Sequence, residues 1–245
     1  MKPYFHKFAY VAGIVLALAL TFSCSSDDGG DSPGETYELV IVGNQIWTKK
    51  NLNYDVPDDT TDVCYNDSDT INCPKYGRLY SWATAMALPS KCNSVLSTSD
   101  ADCAIKTPHH KGICLAGWHI PSNADWDKLY RFMDNSTSTN SPYESTTSGR
   151  LLKAKEGWAN CGPANSGKTY QCDDTGFTAL PGGKGRDDGI FEGAGRLGYW
   201  WTSSSDEAGT AYLRSMENNS NDARWHNNSK SWLLSVRCVK DNSSL

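Results

Sequence analysis

Apolar residues change their spacing several times along this chain, and each change marks a different element. From Phe8 to Leu20 they run almost unbroken behind Lys2 and Lys7. That run falls short of the ~20 residues a helix needs to cross a bilayer. Tyr37 to Trp47 carries Leu39, Ile41 and Ile46 among β-branched neighbours around Gly43-Asn44, which predicts a hairpin. Leu79, Trp82, Ala83, Met86 and Ala87 then fall at helical spacing before Pro89, so the pattern predicts a helix over 76–88. A second helix should begin at Ser122, whose side chain can cap free amides, and continue through Trp126, Leu129, Tyr130 and Met133. Residues 135–148 form a Ser/Thr/Asn-rich loop. After Gly176 the chain is punctuated by glycine and rich in aromatic residues. It ends in Trp232 to Val239, where Leu234 and Val236 alternate with polar neighbours as in a half-buried strand. Two early helices and a late, loop-rich sheet make an α+β domain.

The N-terminal apolar run gains meaning from its polar C-terminal flank. Thr21-Phe22-Ser23-Cys24 leads into a polar tract, a pattern that reads as a lipoprotein signal over 1–23, with Cys24 as the lipidated first residue of an exported protein. An ordinary cleaved secretory signal and an uncleaved span are the alternatives. Residues 24–36, rich in Asp, Gly and Ser, read as a flexible tether, leaving 37–245 as a single domain. The Cys-Ser-Ser-Asp-Asp start resembles the acidic export tags of surface lipoproteins in Bacteroidetes-like bacteria.

Export decides how the remaining cysteines are read. Of nine in the chain, eight fall after Cys24, an even set for an oxidising compartment, so four disulfides are expected. Eight cysteines allow 105 connectivities. Spacing suggests three local loops, Cys64 with Cys73, Cys92 with Cys103 and Cys161 with Cys172, and one long tie from Cys114 to Cys238. No Cys-x-x-Cys is present and the histidines share no ligand spacing with cysteines, so no metal site or cofactor is read here. Losing Lys2 and Lys7 with the leader takes the net charge from −5 to −7. An acidic chain without a basic stripe excludes nucleic acid as a partner.

Several motifs look chemical and are better read as structure. Gly162-Pro-Ala-Asn-Ser-Gly167-Lys168-Thr169 satisfies a phosphate-loop pattern, but it lacks the strand before and the helix after that the pattern needs. It reads as a loop closed by Cys161 and Cys172. Gly193-Ala-Gly195-Arg-Leu-Gly198 spells a dinucleotide fingerprint but leads into Tyr199-Trp200-Trp201, a strand, so it reads as a tight loop. His119, between Trp118 and Ile120, reads as a packed strand residue instead of a base. Asp173-Asp174 and Asp187-Asp188 read as solvated turn residues. No catalytic residue is assigned. On a strand, the adjacent Trp200 and Trp201 should face opposite ways, one toward the core and the other away.

Ile41-Val-Gly43-Asn44-Gln-Ile-Trp47, Asn51-Leu52-Asn53-Tyr54, and Cys73-Pro-Lys-Tyr76-Gly77-Arg78-Leu79-Tyr80-Ser-Trp82 stand in the first half of the chain. Gly112-Ile-Cys114-Leu-Ala-Gly117-Trp118-His119-Ile120-Pro121-Ser122, Gly176-Phe177-Thr-Ala-Leu180-Pro181-Gly182-Gly183, Trp200-Trp201-Thr-Ser and Ser235-Val-Arg237-Cys238-Val239 come after them in order. The series closely resembles the Fibrobacter succinogenes major paralogous domain. Within it, Trp118-His-Ile-Pro121-Ser-Asn-Ala-Asp125-Trp126 is similar to the Arg-Leu-Pro-Thr-Glu-Ala-Glu-Trp motif of formylglycine-generating sulfatase modifiers, and Val236-Arg237-Cys238 to their terminal Phe-Arg-Cys. The resemblance implies a C-type-lectin-like fold. In that fold strands from both ends of the domain pair, two helices flank a twisted, mainly antiparallel sheet, and long loops crown the second half, stapled by disulfides.

Three functions are compatible with this reading. As a binding module for cell-wall polysaccharide or a protein partner, the domain would use loops 183–198 and 206–230, with Tyr212, Arg224, Trp225 and Trp232 as its contact residues. As a structural coat protein it would need no ligand. As an enzyme it would resemble the sulfatase modifiers, which bind copper through reactive cysteines. Here Cys161, Cys172 and Cys238 all have plausible disulfide partners.

Overall fold

The computed structural model of the chain describes residues 37–241 apart from 58–60, 69, 97, 163–169 and 173–174. The leader, Cys24, the tether, the interior of the phosphate-loop-like segment and Asp173-Asp174 lie outside the described residues. The architecture is mixed α+β with antiparallel sheets and few helices.

The expected hairpin forms, with strands Leu39–Val42 and Gln45–Thr48 joined at Gly43, whose φ of +61° is the left-handed conformation such a turn demands. Val40 and Val42 turn inward with Trp47, whereas Leu39 and Ile41 are 45% and 43% exposed. Both faces of this strand are apolar, so alternation alone does not say which one is covered. The hairpin extends into a four-stranded antiparallel sheet by pairing with Val239–Lys240, which also pairs with Trp118–His119. Val239 thus lies opposite both Trp47 and His119, and the two ends of the domain are joined through it.

The expected 76–88 helix does not form as one element. A five-residue helix, Asn72–Tyr76, stops at Gly77, which sits at φ +77° where a β-carbon would meet the Leu52 carbonyl oxygen at 2.5 Å. Leu79–Tyr80 is then a strand paired with Asp62–Val63, and only Trp82–Ala85 is helical, capped by Ser81 Oγ accepting from the Thr84 amide at 3.2 Å. Leu79, Trp82 and Met86 are all buried, but in different elements, and a helical period cannot tell that arrangement from one helix face. The second helix is as expected. Asn123–Asp134 begins with a capping box in which Ser122 Oγ and the Asp125 carboxylate each accept the other residue's amide, and it buries Trp126, Leu129 and Tyr130.

A three-stranded antiparallel sheet of Leu197–Glu207, Thr210–Glu217 and Arg224–Ser229 divides the core. On one side lie Trp47, Trp126, Tyr130, Phe177 and Trp200; on the other lie Trp82, Ile120, Trp201, Leu213, Leu234 and Val236. Both Trp200 and Trp201 are therefore fully buried, contrary to the expectation that only one would be. They do face opposite ways, but each side of the sheet is covered. The same covering overturns the half-buried reading of Trp232 to Val239, in which every residue from Leu233 to Val239 is buried. Segment 206–230, expected as a crown of loops, is mostly strand, because Ala211, Leu213 and Ser215 alternate with Tyr212, Arg214 and Met216 onto two packed faces.

Among the described residues four disulfides form, Cys64–Cys73, Cys92–Cys103, Cys161–Cys172 and Cys114–Cys238, the pairs that spacing suggested, and the last spans 124 residues. Such a set belongs to an oxidising compartment and fits an exported protein. Arg214 and Lys153, two of the buried cations, tie elements together. Arg214 meets Asp127 on the long helix at 2.7 Å and also donates to the Tyr143 and Asn123 carbonyls. Lys153, fully buried, donates to the Glu217 carbonyl at 2.5 Å and to the Ser220 carbonyl, with the Trp158 ring 5.2 Å away.

Burial pulls the Lys153 ammonium down to about 8, against the opposing charges of Asp222 and Glu217. Below pH 8 lysine is charged in both the folded and unfolded chain. Between pH 8 and the unfolded value of 10.5, the unfolded chain binds more protons, so stability rises with pH across that window. The full effect is about 3 kcal/mol at most. Denaturant unfolding at pH 7.5 and pH 10 should show this rise relative to Lys153→Met, in which the slope is lost. Parallel pH profiles for the two proteins would contradict it.

Candidate functional site

The outer strand Arg224–Ser229 decides which of the expected contact residues act together. Its register places Trp225 opposite Arg214 and Asn227 opposite Tyr212, so Trp225, Asn227 and Tyr212 share one face. The Trp225 and Tyr212 rings lie 5.7 Å apart at 58°, and both are half-buried, outside the core clusters. Asn227 Nδ2 donates to Asp206 Oδ2 at 2.6 Å, and Thr210 Oγ1 donates to Asp206 Oδ1 at 2.8 Å. Partial burial pushes the Asp206 carboxyl upward, but these two bonds, together with the Asp206 and Glu207 backbone amides, outweigh it and hold the group below its ordinary range. The result is a pair of rings bordered by an ionised carboxylate and a fixed amide.

Arg224 and Trp232 do not join this group. Arg224 lies opposite Ser215 on the other face of the strand, and its guanidinium is held by Asp222 at 2.6 Å. His226, on that same face, approaches Ser215 Oγ at 3.1 Å through Nε2. Trp232 is capped by Lys184 Nζ, 3.8 Å from the ring centroid, and Lys184 is in turn paired with Glu192. Its ring face is already occupied by a cation. Of the four expected contact residues the structure brings two together, because adjacent strand residues point apart and because a lysine covers the Trp232 ring. Asn227 and Asp206 were missed. Their signal was the two-residue spacing from Trp225 to Asn227, which becomes informative only once the segment is known to be a strand.

Two hollows lie elsewhere. One of about 360 Å³ is lined by Tyr37, Glu38, Lys50, Asn53 and Tyr54, with Lys50 and Glu38 paired across it at 2.5 Å. The other, about 450 Å³, lies between residues 105–108 and the serines Ser122 and 203–205. Neither includes the Trp225–Tyr212 pair, a tilted pair of rings that forms an open platform across the outer strand and its neighbour.

Residues 40–240 match the family described as the Fibrobacter succinogenes major domain. The chain belongs to this family. No curated protein and no solved structure matches it. The family span begins inside the first hairpin and ends at Lys240, so it takes in the Trp225–Tyr212 pair, the second hollow and the four disulfides described for this Fibrobacter succinogenes major domain.

Because the Trp225 ring stands outside the packed clusters, Trp225→Ala should lower unfolding stability by less than about 1.5 kcal/mol, the range of an exposed ring pair. Trp126→Ala, a fully buried ring, should cost about 3 to 5 kcal/mol. Chemical denaturation of both variants beside the parent checks the contrast. Equal losses would place Trp225 in the core.

Proposed function

We propose that the protein is a lipid-anchored surface lipoprotein whose domain binds polysaccharide through the Trp225–Tyr212 platform. The observation that carries this reading is the pairing of two half-buried rings, Trp225 on the outer strand and Tyr212 on the strand beside it, with Asp206 and Asn227 at their border. Sugar rings offer apolar C–H faces and a rim of hydroxyls. Flat aromatic rings take the faces with little loss of side-chain freedom, while a carboxylate and an amide take the hydroxyls. An open platform, unlike a closed pocket, suits an extended chain that overhangs the site at both ends.

The anchoring half of the proposal rests on the leader and Cys24, with a tether after it that holds the domain off the membrane. We read the fold as C-type-lectin-like, supported by the pairing of the chain's two ends, the scarcity of helix and the disulfides. The copper-enzyme alternative needs reactive thiols, whereas Cys161, Cys172 and Cys238 are each in a disulfide. A coat protein is favoured by a different observation, the scatter of partly exposed rings. Tyr54 borders one hollow, Trp232 lies under Lys184, and neither joins the Trp225–Tyr212 pair.

Retention on insoluble plant cell-wall polysaccharide should be lost by at least ~2 kcal/mol, roughly thirtyfold in affinity, in both Trp225→Ala and Tyr212→Ala. Trp232→Ala should bind as the parent does. No retention by the parent would discard polysaccharide and favour the coat, and unimpaired Trp225→Ala would discard the platform. For the anchor, radiolabelled palmitate should enter the parent and not Cys24→Ala. Equal labelling would overturn lipidation at that residue.

A further inference from the structure

We propose that His109, His119 and Asp241 form a binding site for one divalent transition-metal ion, with Zn²⁺ the best fit to two imidazoles and a carboxylate. Their donor atoms all lie within 4.8 Å of one another, though they come from three separate segments of the chain. Two of the three are held by backbone. His119 is on the strand that pairs with Val239–Lys240, and the Asp241 amide donates to the Gly117 carbonyl at 2.9 Å just beyond that pairing. The Cys114–Cys238 disulfide staples the same two segments a few residues upstream of each ligand. A site on paired strands, cross-linked beside the ligands, is organised before any ion arrives.

The environment of His119 is that of a ligand imidazole. The residue is 2% exposed. Its Nδ1 faces Asp241 Oδ1 at 2.5 Å, and its Nε2 lies 3.4 Å from Asp125 Oδ2, where it makes no well-formed hydrogen bond. A metal-bound histidine characteristically turns its second ring nitrogen to a carboxylate, which sets the tautomer and strengthens the donor. Asp125 is placed for that role, with its own geometry set by the capping box at Ser122. Nδ1 is then the nitrogen directed at the ion.

Distances say what must move. Ligands bound at about 2.1 Å to one ion stand roughly 3 to 4 Å apart. Asp241 must therefore draw back from Nδ1, and the widest of the three separations must close slightly. The His109 ring stacks on His119 with centroids 4.4 Å apart and planes 13° from parallel, so it must tip to aim its lone pair at the same point. Both movable groups face solvent, His109 being exposed and the Asp241 side chain 41% exposed, while the buried His119 stays in place. Three protein ligands leave positions for water or a further ligand. An ion there would tie the loop carrying His109 to the last strand of the domain.

Titration of the purified, chelator-stripped full chain with Zn²⁺ in a calorimeter should show one saturable site, and saturating Zn²⁺ should raise the unfolding temperature, because an ion that binds only the folded chain stabilises it. Ca²⁺, which prefers an all-oxygen shell, should do neither. His109→Ala and Asp241→Asn, both at solvent-facing positions, should each weaken Zn²⁺ binding by more than about tenfold, the loss that even an outer partner's removal causes. His226→Ala, a histidine on the outer strand, should leave it unchanged. Absence of saturable binding by the parent, or undiminished binding by the His109→Ala/Asp241→Asn double variant, would overturn the site.

Discussion

Arg237 is a full positive charge with no exposed surface, and the way the chain accommodates it fixes how the two ends of the domain meet. Its guanidinium donates to the Thr48, Phe177 and Thr178 carbonyls at 2.6, 3.0 and 2.6 Å, and its Nε to Asn51 Oδ1 at 2.9 Å. Burying such a charge is costly unless its donors are met, and five fixed N–H directions admit few arrangements that meet them. The first hairpin must therefore end where Thr48 can offer its carbonyl, and the 177–178 turn must lie across it, with Thr178 held at φ +60°. Asn51 extends the constraint. The same Oδ1 accepts from Trp200 Nε1, while Nδ2 donates to the Tyr76 carbonyl and Ser235 Oγ. One buried amide thus links the hairpin, the short helix, the central sheet and the C-terminal segment.

That hub explains why so little regular structure suffices. Most strands outside the central sheet are two to four residues long, too short to be stable as ladders alone. They hold because side-chain networks and disulfides define their positions. Cys114–Cys238 lies next to Arg237 and staples the terminal segment, while Arg214 anchors the central sheet to the long helix and Lys153 ties its own segment to the 217–220 turn at the sheet's end. Each network places a cation among carbonyls or beside a buried carboxylate, where loss of a partner costs far more than a surface ion pair is worth.

Local signals were legible in the sequence wherever the chemistry of a few adjacent residues decides the outcome. The Gly43-Asn44 turn, the Ser122–Asp125 capping box and the short-range cystines all act over a dozen residues or fewer, and each appears as expected. The long Cys114–Cys238 tie was reachable only by exclusion, after the local pairs had been used. What could not be read was which side of an element is covered. Leu39 and Ile41 look like core residues, and Trp200 with Trp201 looks like an alternating pair, because period alone does not record whether a second layer lies behind the sheet. The candidate site suffered in the same way. Tyr212, Arg224, Trp225 and Trp232 are similar in composition and near in sequence, but strand pleating sends Arg224 away from Trp225, and Lys184, nearly fifty residues before Trp232, covers that ring.

The covering of both faces also limits where recognition can occur on the central sheet. Leu197–Glu207 and Thr210–Glu217 commit Trp200, Trp201, Leu213 and Met216 to the two core clusters, so these are closed to any ligand, and Tyr212 stays outside them. Arg224–Ser229 is the outer strand, and no core cluster includes any of its residues. An outer strand with open backbone groups invites pairing with another chain unless its sequence discourages it. Here Arg224, His226, Asn227 and Asn228 make the edge polar, and the two rings that do emerge, Trp225 and Tyr212, pack against each other instead of standing as separate sticky points. The same residues that protect the edge border the platform. Protection against aggregation and provision of hydrogen-bonding groups beside the proposed aromatic surface are then met by one set of residues at this edge.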